Sequence, residues 1–230
     1  CGGVIKGDKH GLLVPAFKNA KVWSNENHWN WATNPNPSNL LLSEPLVSSP
    51  GEHYQYNTAG THLLSVIISK ATQMETATFA NENLFKPLKI SNFKWDKLND
   101  GYHDGGGLYL WMQTDDLIKI GQLVLDNGQV GTTQIVSKSW ISELLKKSNK
   151  SKAPWGIRNS LHGFCWYATE YNGHDLNYAW GYGGQFIFIF PDLKAIIAIN
   201  SNHDTTNGIE NSNKLIADYL PLLFDKITDR

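Results

Sequence analysis

Two tyrosines stand where a proton or a carbonyl oxygen can be handled. The first is Tyr56, in the stretch Pro50-Gly51-Glu52-His53-Tyr54-Gln55-Tyr56-Asn57-Thr58-Ala59-Gly60. Pro50-Gly51 signals a turn, and Asn57 or Thr58 suits a helix N-cap. Beyond them Leu63, Leu64, Ile67, Ile68 and Ala71 recur at helical spacing, so a helix is expected to about Thr72. Tyr56 then sits just outside a helix N-terminus, where unpaired N–H groups and the dipole favour negative charge. A phenol held there ionises more readily than a free one, which suits a general base. Packing of Tyr54 and Tyr56 beneath the helix start accounts for the same residues without chemistry. The second is Tyr182, in Ala179-Trp180-Gly181-Tyr182-Gly183-Gly184-Gln185, just ahead of an apolar run. Glycine on both sides lets another group approach the main chain closely. A strand edge offering its N–H to a carbonyl oxygen is half of an oxyanion hole. Taken alone, the same residues also read as a glycine-rich turn into a strand.

Other chemistries fit the chain less well. Asp104-Gly105-Gly106-Gly107-Leu108 lacks the strand before, the helix after and the Lys-Ser/Thr of a phosphate loop, so no nucleotide is expected there. The 8 histidines are scattered without an HExxH spacing, and the 2 cysteines, Cys1 and Cys165, form neither a disulfide framework nor a ligand cluster. Neither a metal nor a cofactor is expected. A net charge of -1 gives no footprint for nucleic acid or an anionic membrane surface. No apolar run is long enough to span a bilayer.

The elements that must position the two tyrosines read as helices first and strands later. Residues 1–50 form an irregular arm anchored by Trp23, Trp29 and Trp31, with only Asn39–Leu46 briefly helical or extended. Residues 51–155 are mainly helical. A second helix is expected over Thr76–Phe85, ended by Lys86-Pro87, and then Asn92–Tyr102 as loop. Thr114-Asp115-Asp116 is read as the cap of a third helix with Leu117, Ile120, Gly121 and Val124 inward, stopped at Asn127-Gly128. A fourth runs from Ser137 or Lys138 to Lys147, and Asn149–Ala153 is a solvated basic loop. Residues 156–230 carry a strand at His162–Thr169, with Phe164, Trp166 and Ala168 on one face. A hairpin of Gln185–Phe190 and Ala195–Ser201 turns at Pro191-Asp192-Leu193-Lys194, before a closing helix over Ile209–Phe224 that Pro221 kinks. Both hairpin strands are apolar on both faces, so the sheet is expected to be covered on each side. The fold class is mixed α/β, of the α+β type, in one domain.

Together these segments resemble the serine beta-lactamase-related family, which includes class C beta-lactamases, DD-peptidases, esterases and 6-aminohexanoate-oligomer hydrolases. The likeness rests on a spaced series. It comprises Tyr56-Asn57-Thr58-Ala59-Gly60 before a helix, Gly105-Gly106-Gly107-Leu108-Tyr109-Leu110 with Asp115-Asp116-Leu117, Gln134-Ile135-Val136-Ser137 with Trp140, and Trp180-Gly181-Tyr182-Gly183-Gly184-Gln185 before a hairpin. It covers roughly residues 27–225 and is closest to the esterase and amide-oligomer hydrolase branch. The fold it implies is beta-lactamase/transpeptidase-like, here incomplete. The role it implies for Tyr56 is general base or acid, and for the Tyr182 N–H it is oxyanion donor. Thr58 stands at the asparagine position of the family's Tyr-x-Asn, which departs from class C enzymes and disfavours lactam recognition. Ala179-Trp180-Gly181 falls where the family has Lys-Thr-Gly, so a substrate carboxylate loses its usual partner. Thr58, Trp180, Gly181, Tyr109 and Trp111 are the substrate-binding residues the resemblance implies.

The family's nucleophile lies in Ser-x-x-Lys on a helix, where the lysine eases removal of the serine proton. Ser65-Val66-Ile67-Ile68 and Ser148-Asn149-Lys150-Ser151 both fail that test, and the expectation is that no serine of the chain has lysine three residues on and so none serves. In the family the nucleophile helix precedes the tyrosine by more than the 55 residues ahead of Tyr56. The chain is therefore expected to be a C-terminal part, inactive alone and exposing apolar surface to a missing N-terminal segment or an oligomer partner. The substrate is expected to be a small-molecule or peptide-like ester or amide. The other reading is a non-catalytic peptide- or glycan-binding protein, with Trp180, Tyr182, Trp111 and Tyr109 lining its groove. Low charge and abundant Asn, Ser, Trp and Tyr suit an extracytoplasmic bacterial setting, whether periplasmic, secreted or lipid-anchored at Cys1. Cys1 is read here as a truncation point.

Overall fold

The computed structural model describes residues 34–43, 49, 56–106, 109–146, 156, 157, 159–201 and 207–229. The expectations for Trp23, Trp29, Trp31, Tyr54, Cys1, the end of the fourth helix at Lys147 and the loop Asn149–Ala153 lie outside these residues. The described chain falls into two compact units. One is drawn from the chain up to Lys86 with Phe93–Trp111, the other from Pro87–Asn92 with the chain from Met112 onward. No helix among the described residues is long and apolar enough to cross a membrane.

The first unit contains helix α1 (Pro37–Ser43), helix α2 (Thr58–Thr72), and helix α3 (Thr76–Ala80), which runs on through a π turn at Asn81–Phe85. A two-stranded sheet of β1 (Phe93–Trp95) and β2 (Leu110–Met112) follows. Within the expected loop at Asn92–Tyr102, Phe93–Trp95 is therefore a strand, and its pairing to Leu110–Met112 is long-range and invisible to local pattern. Helix α2 begins where Asn57 accepts a hydrogen bond from the Gly60 N–H at 2.9 Å, so Asn57 and not Thr58 is the cap. It ends at Gln73, which turns left-handed at φ 56°. Leu41, Ala59, Leu63 and Leu98 form the core of this unit. The buried stripe of α2 is Thr58 to Leu63 with Ser65, while Leu64, Ile67 and Ile68 are only half-buried and Ala71 is exposed. The apolar periodicity located the helix but not its covered face.

The second unit opens on helix α4 (Thr114–Leu125), the small hairpin β3 (Gln129–Val130) and β4 (Thr133–Gln134), and helix α5 (Lys138–Leu144). Gln113, not Thr114, is the N-cap of α4, and it caps without a side-chain hydrogen bond. Asp115 and Asp116 in the first turn complement the dipole instead. Ser137 caps α5 by accepting from the Trp140 N–H at 3.2 Å.

An antiparallel sheet follows in the order β5 (Leu161–His162), β6 (Tyr167–Tyr171), β7 (His174–Gly181), β8 (Gln185–Phe190) and β9 (Ala195–Ile199). The strand expected over His162–Thr169 is thus broken. Gly163 N donates to Trp166 O at 2.7 Å and Cys165 turns left-handed at φ 65°, folding β5 back on β6. Phe164 and Trp166 consequently do not share a strand face with Ala168. Strand β7 lies wholly outside the expected elements. Its buried residues Leu176 and Tyr178 do alternate, but the intervening polar residues hide the run.

The sheet is covered on both faces, as the doubly apolar hairpin predicts. Phe186, Phe188 and Phe190 pack with Tyr167, Leu176, Tyr178, Leu220 and Phe224, whereas Ile187 and Ile189 pack with Val124 and Ile141. The C-terminal segment is helix α6 (Gly208–Lys214), a π turn (Leu215–Tyr219), and helix α7 (Leu220–Thr228). The irregularity falls just ahead of Pro221, which supplies no N–H to the preceding turn. Leu220 is fully buried, while Tyr219 is exposed.

His162 is fully buried, edge-on to Tyr167 with ring centroids 4.9 Å apart. Burial pushes its imidazole down to about 4. Because the unfolded ring takes up a proton near pH 6.5 and the folded one does not, this contribution is complete above pH 6.5. It is lost as pH falls toward 4. Urea titrations from pH 7 to 4 are expected to show stability falling in that window, with a slope approaching about 1.4 kcal/mol per pH unit. His162→Phe should lose that share of the slope.

Candidate active site

In the first unit Tyr56 is half-buried and immediately precedes the capping Asn57, the position expected for it. Thr58 is the first helical residue of α2 and is buried. The glycine loop lies directly on this end of the helix. A Cβ on Gly106 would fall 2.3 Å from Thr58 Cγ2, and one on Gly105 would fall 2.9 Å from the Thr61 carbonyl. These glycines serve close approach to a helix, and neither takes a positive φ.

Sequence reasoning passed over the residues that hold the loop there. His62, fully buried on α2, accepts from the Gly105 N–H at 3.3 Å through Nδ1. The Nε2 atom lies 3.0 Å from Asp100 Oδ2 and is therefore the protonated nitrogen. Burial alone would raise the Asp100 pKa, but bonds from the Ser38 hydroxyl, His62 and the Tyr102 N–H together hold it below the usual carboxylate range. Asp104 accepts from Gly106 N at 2.8 Å, and its carbonyl accepts from Trp95 Nε1 at 2.7 Å. Scattered polar residues of this kind give no signal until the loop is folded back. Tyr109 packs against the core formed by Leu41, Ala59 and Leu63, and Trp111 is exposed in β2.

In the second unit Trp180, Gly181 and Tyr182 are brought together at the end of β7. Trp180 pairs with Phe186 and packs on the aromatic core, and Gly181 pairs with Gln185. Between them runs a loop of three residues, Tyr182, Gly183 and Gly184, closed by a bond from Gly184 N to Gly181 O at 3.2 Å. Gly183 and Gly184 adopt φ of 93° and 104°, conformations that require glycine. The Tyr182 ring is exposed on one side, and its hydroxyl accepts from the Gly208 N–H at 3.1 Å. Tyr56, Thr58, Tyr109 and Trp111 belong to the first unit, and Trp180, Gly181 and Tyr182 to the second.

The expectation that no serine has lysine three residues on needs one correction. Ser91-Asn92-Phe93-Lys94 carries that spacing. It is no helical pair, however. Ser91 is exposed coil, and Lys94 lies in β1 with its ammonium 2.9 Å from Asp96. A helix presents residues three apart on one face, which an extended chain does not. Among the described residues no group of three or more His, Cys, Asp or Glu is placed to hold a metal ion.

Solved structures share this fold at low identity. A protein designated a 6-aminohexanoate-dimer hydrolase, from Bacillus anthracis, matches with TM-score 0.64 and 19% identity over 96% of this chain and 58% of its own. A D-amino acid amidase from Ochrobactrum anthropi SV3 matches with TM-score 0.61 and 11% identity, over 92% and 71%. A D-stereospecific amidohydrolase from a Streptomyces species matches with TM-score 0.59 and 13% identity, over 90% and 71%. The chain spans 58% of the length of the Bacillus protein. No curated protein gives a significant match. The architecture is thus that of the beta-lactamase/transpeptidase-like fold. The Beta-lactamase family model matches residues 14–219, and the chain belongs to that family.

Proposed function

We propose that this chain is the part of a serine hydrolase that carries the proton-handling tyrosine and the oxyanion strand, and that its nucleophile comes from sequence outside these 230 residues. The observation that carries the reading is a match to the family over residues 14–219 in which no helix among the described residues bears Ser-x-x-Lys. The serine oxygen would attack an ester or amide carbonyl while its proton passes to Tyr56 and the partner lysine. The oxyanion would be held by the Tyr182 N–H. Collapse would release the alcohol or amine with that proton, and water would then cleave the acyl-enzyme. Thr58 in place of asparagine and the missing lysine at Ala179-Trp180-Gly181 favour esters or linear amides without a carboxylate beside the scissile bond.

A fluorophosphonate probe tests this directly. The chain alone is expected to give no covalent adduct by intact mass. The chain expressed with its upstream coding sequence is expected to give one, on a serine of a helical Ser-x-x-Lys. An adduct on Ser91 or any other serine of this chain overturns the proposal. Absence of an adduct from the longer protein would point to the binding-protein reading.

A further inference from the structure

The C-terminal segment reaches back to the Tyr182 loop at several points. Asn211 of α6 donates through Nδ2 to the Gly183 carbonyl at 2.5 Å and to Ser201 Oγ at 2.8 Å, using both amide hydrogens. A carbonyl accepts only from the nitrogen, which sets the orientation of this amide. Gln185 Nε2 donates to the Ser201 carbonyl at 2.8 Å, tying the same corner to the strand. Leu215 lies against the same corner of the loop, so closely that a Cβ on Gly184 would fall 2.3 Å from its Cδ1. The Tyr182 hydroxyl is engaged one turn earlier by Gly208.

These bonds run in series through two peptide groups. In a trans peptide the C=O and N–H point in opposite directions. Asn211 holds the carbonyl of the Gly183–Gly184 peptide, whose N–H is that of Gly184. That N–H donates to the carbonyl of the Gly181–Tyr182 peptide, whose own N–H is that of Tyr182. The described residues contain no cis peptide bond. The donor at one end therefore fixes the direction of the N–H at the other, and successive hydrogen bonds polarise one another along such a chain.

We propose that Asn211 is a positioning residue that aims the Tyr182 N–H through this two-peptide relay. The inference deepens the hydrolase reading and rests on it for the purpose of that N–H, but the relay itself is testable without turnover.

Amide NMR on the isotopically labelled full chain provides the test. In the unsubstituted protein a through-hydrogen-bond coupling is expected between the Asn211 side-chain nitrogen and the Gly183 carbonyl carbon. Its absence overturns the proposal without any variant. In Asn211→Leu the Gly184 amide is expected to lose about tenfold in exchange protection, the effect of one ordinary hydrogen bond. The Gly184 and Tyr182 amide protons should both shift upfield, while Phe186 and Phe188 in β8 keep their protection. Tyr182→Phe, which removes only the Gly208 bond, should leave the Gly184 amide unchanged. Equal loss of protection at Gly184, Phe186 and Phe188, or an unmoved Tyr182 proton, would make Asn211 merely structural and sink the relay. A relay found in a protein that never forms an acyl-enzyme sinks the hydrolase reading alone. Turnover without a relay sinks this one alone.

Discussion

Phe188→Ala is expected to destabilise the second unit by about 3–5 kcal/mol, the cost of removing a large aromatic side chain from a closed core. Phe188 is fully buried at the centre of β8. Its ring stacks on Phe186, with centroids 4.8 Å apart and planes 14° from parallel, and lies 5.8 Å from Tyr178 on the paired position of β7. The neighbours on that face, Leu176 and Leu220, are themselves fully buried and belong to a strand and a helix with little room to move inward. A cavity would therefore persist, and its residual volume adds to the lost transfer energy. Because a domain of this size is stable by only about 5–15 kcal/mol, the variant should melt far earlier in urea. Chemical denaturation at low temperature measures it, with Phe188→Leu as a milder comparison. A loss below about 1 kcal/mol would mean that this face of the sheet is not packed as described.

The second large effect concerns Tyr56 in the hydrolase completed by its nucleophile segment. On the proposed reading Tyr56→Phe should lower kcat by about 10²–10⁴, the range for losing a positioned proton-transfer group. The substitution keeps the half-buried ring and the Asn57 cap on Gly60, so the helix start and the stability should be nearly unchanged. KM should move little, since the phenol is asked to act on a proton and not to hold the ground state. Asn57→Ala gives the contrasting case. It removes the cap and should cost about 1 kcal/mol of stability. A drop in kcat below tenfold for Tyr56→Phe, in an enzyme that labels with fluorophosphonate, would remove the tyrosine from the mechanism.

Local chemistry made the ends of elements readable. Asn57 and Ser137 cap their helices through their own side chains, and Asn127-Gly128 turns with φ of 54° and 84° as a helix stop requires. The hairpin of β8 and β9 was legible because both of its faces are buried, leaving an uninterrupted apolar run on each side of Pro191–Lys194. Strand β7 was not, because its buried residues alternate with Asp175 and Asn177 and its partners lie in two other strands. The break at Cys165 was equally hidden, since only the tertiary fold makes a non-glycine residue adopt φ 65° there.

By itself the sequence determined that the chain is helical first and antiparallel later, that a tyrosine precedes a capped helix, and that another stands in a glycine loop before a strand. Those features depend on contacts within a few residues, so type and spacing suffice. Only the tertiary structure decided that His62 holds the glycine loop onto α2 while Asp104 braces that loop from within, and that Asn211 and Gly208 grip the loop at Tyr182. These bonds join residues 25 or more apart in the chain in all but the Asp104–Gly106 case, and a hydrogen bond of that span leaves no periodicity to read. The glycines alone hinted at it, because a missing side chain marks where something else must come close.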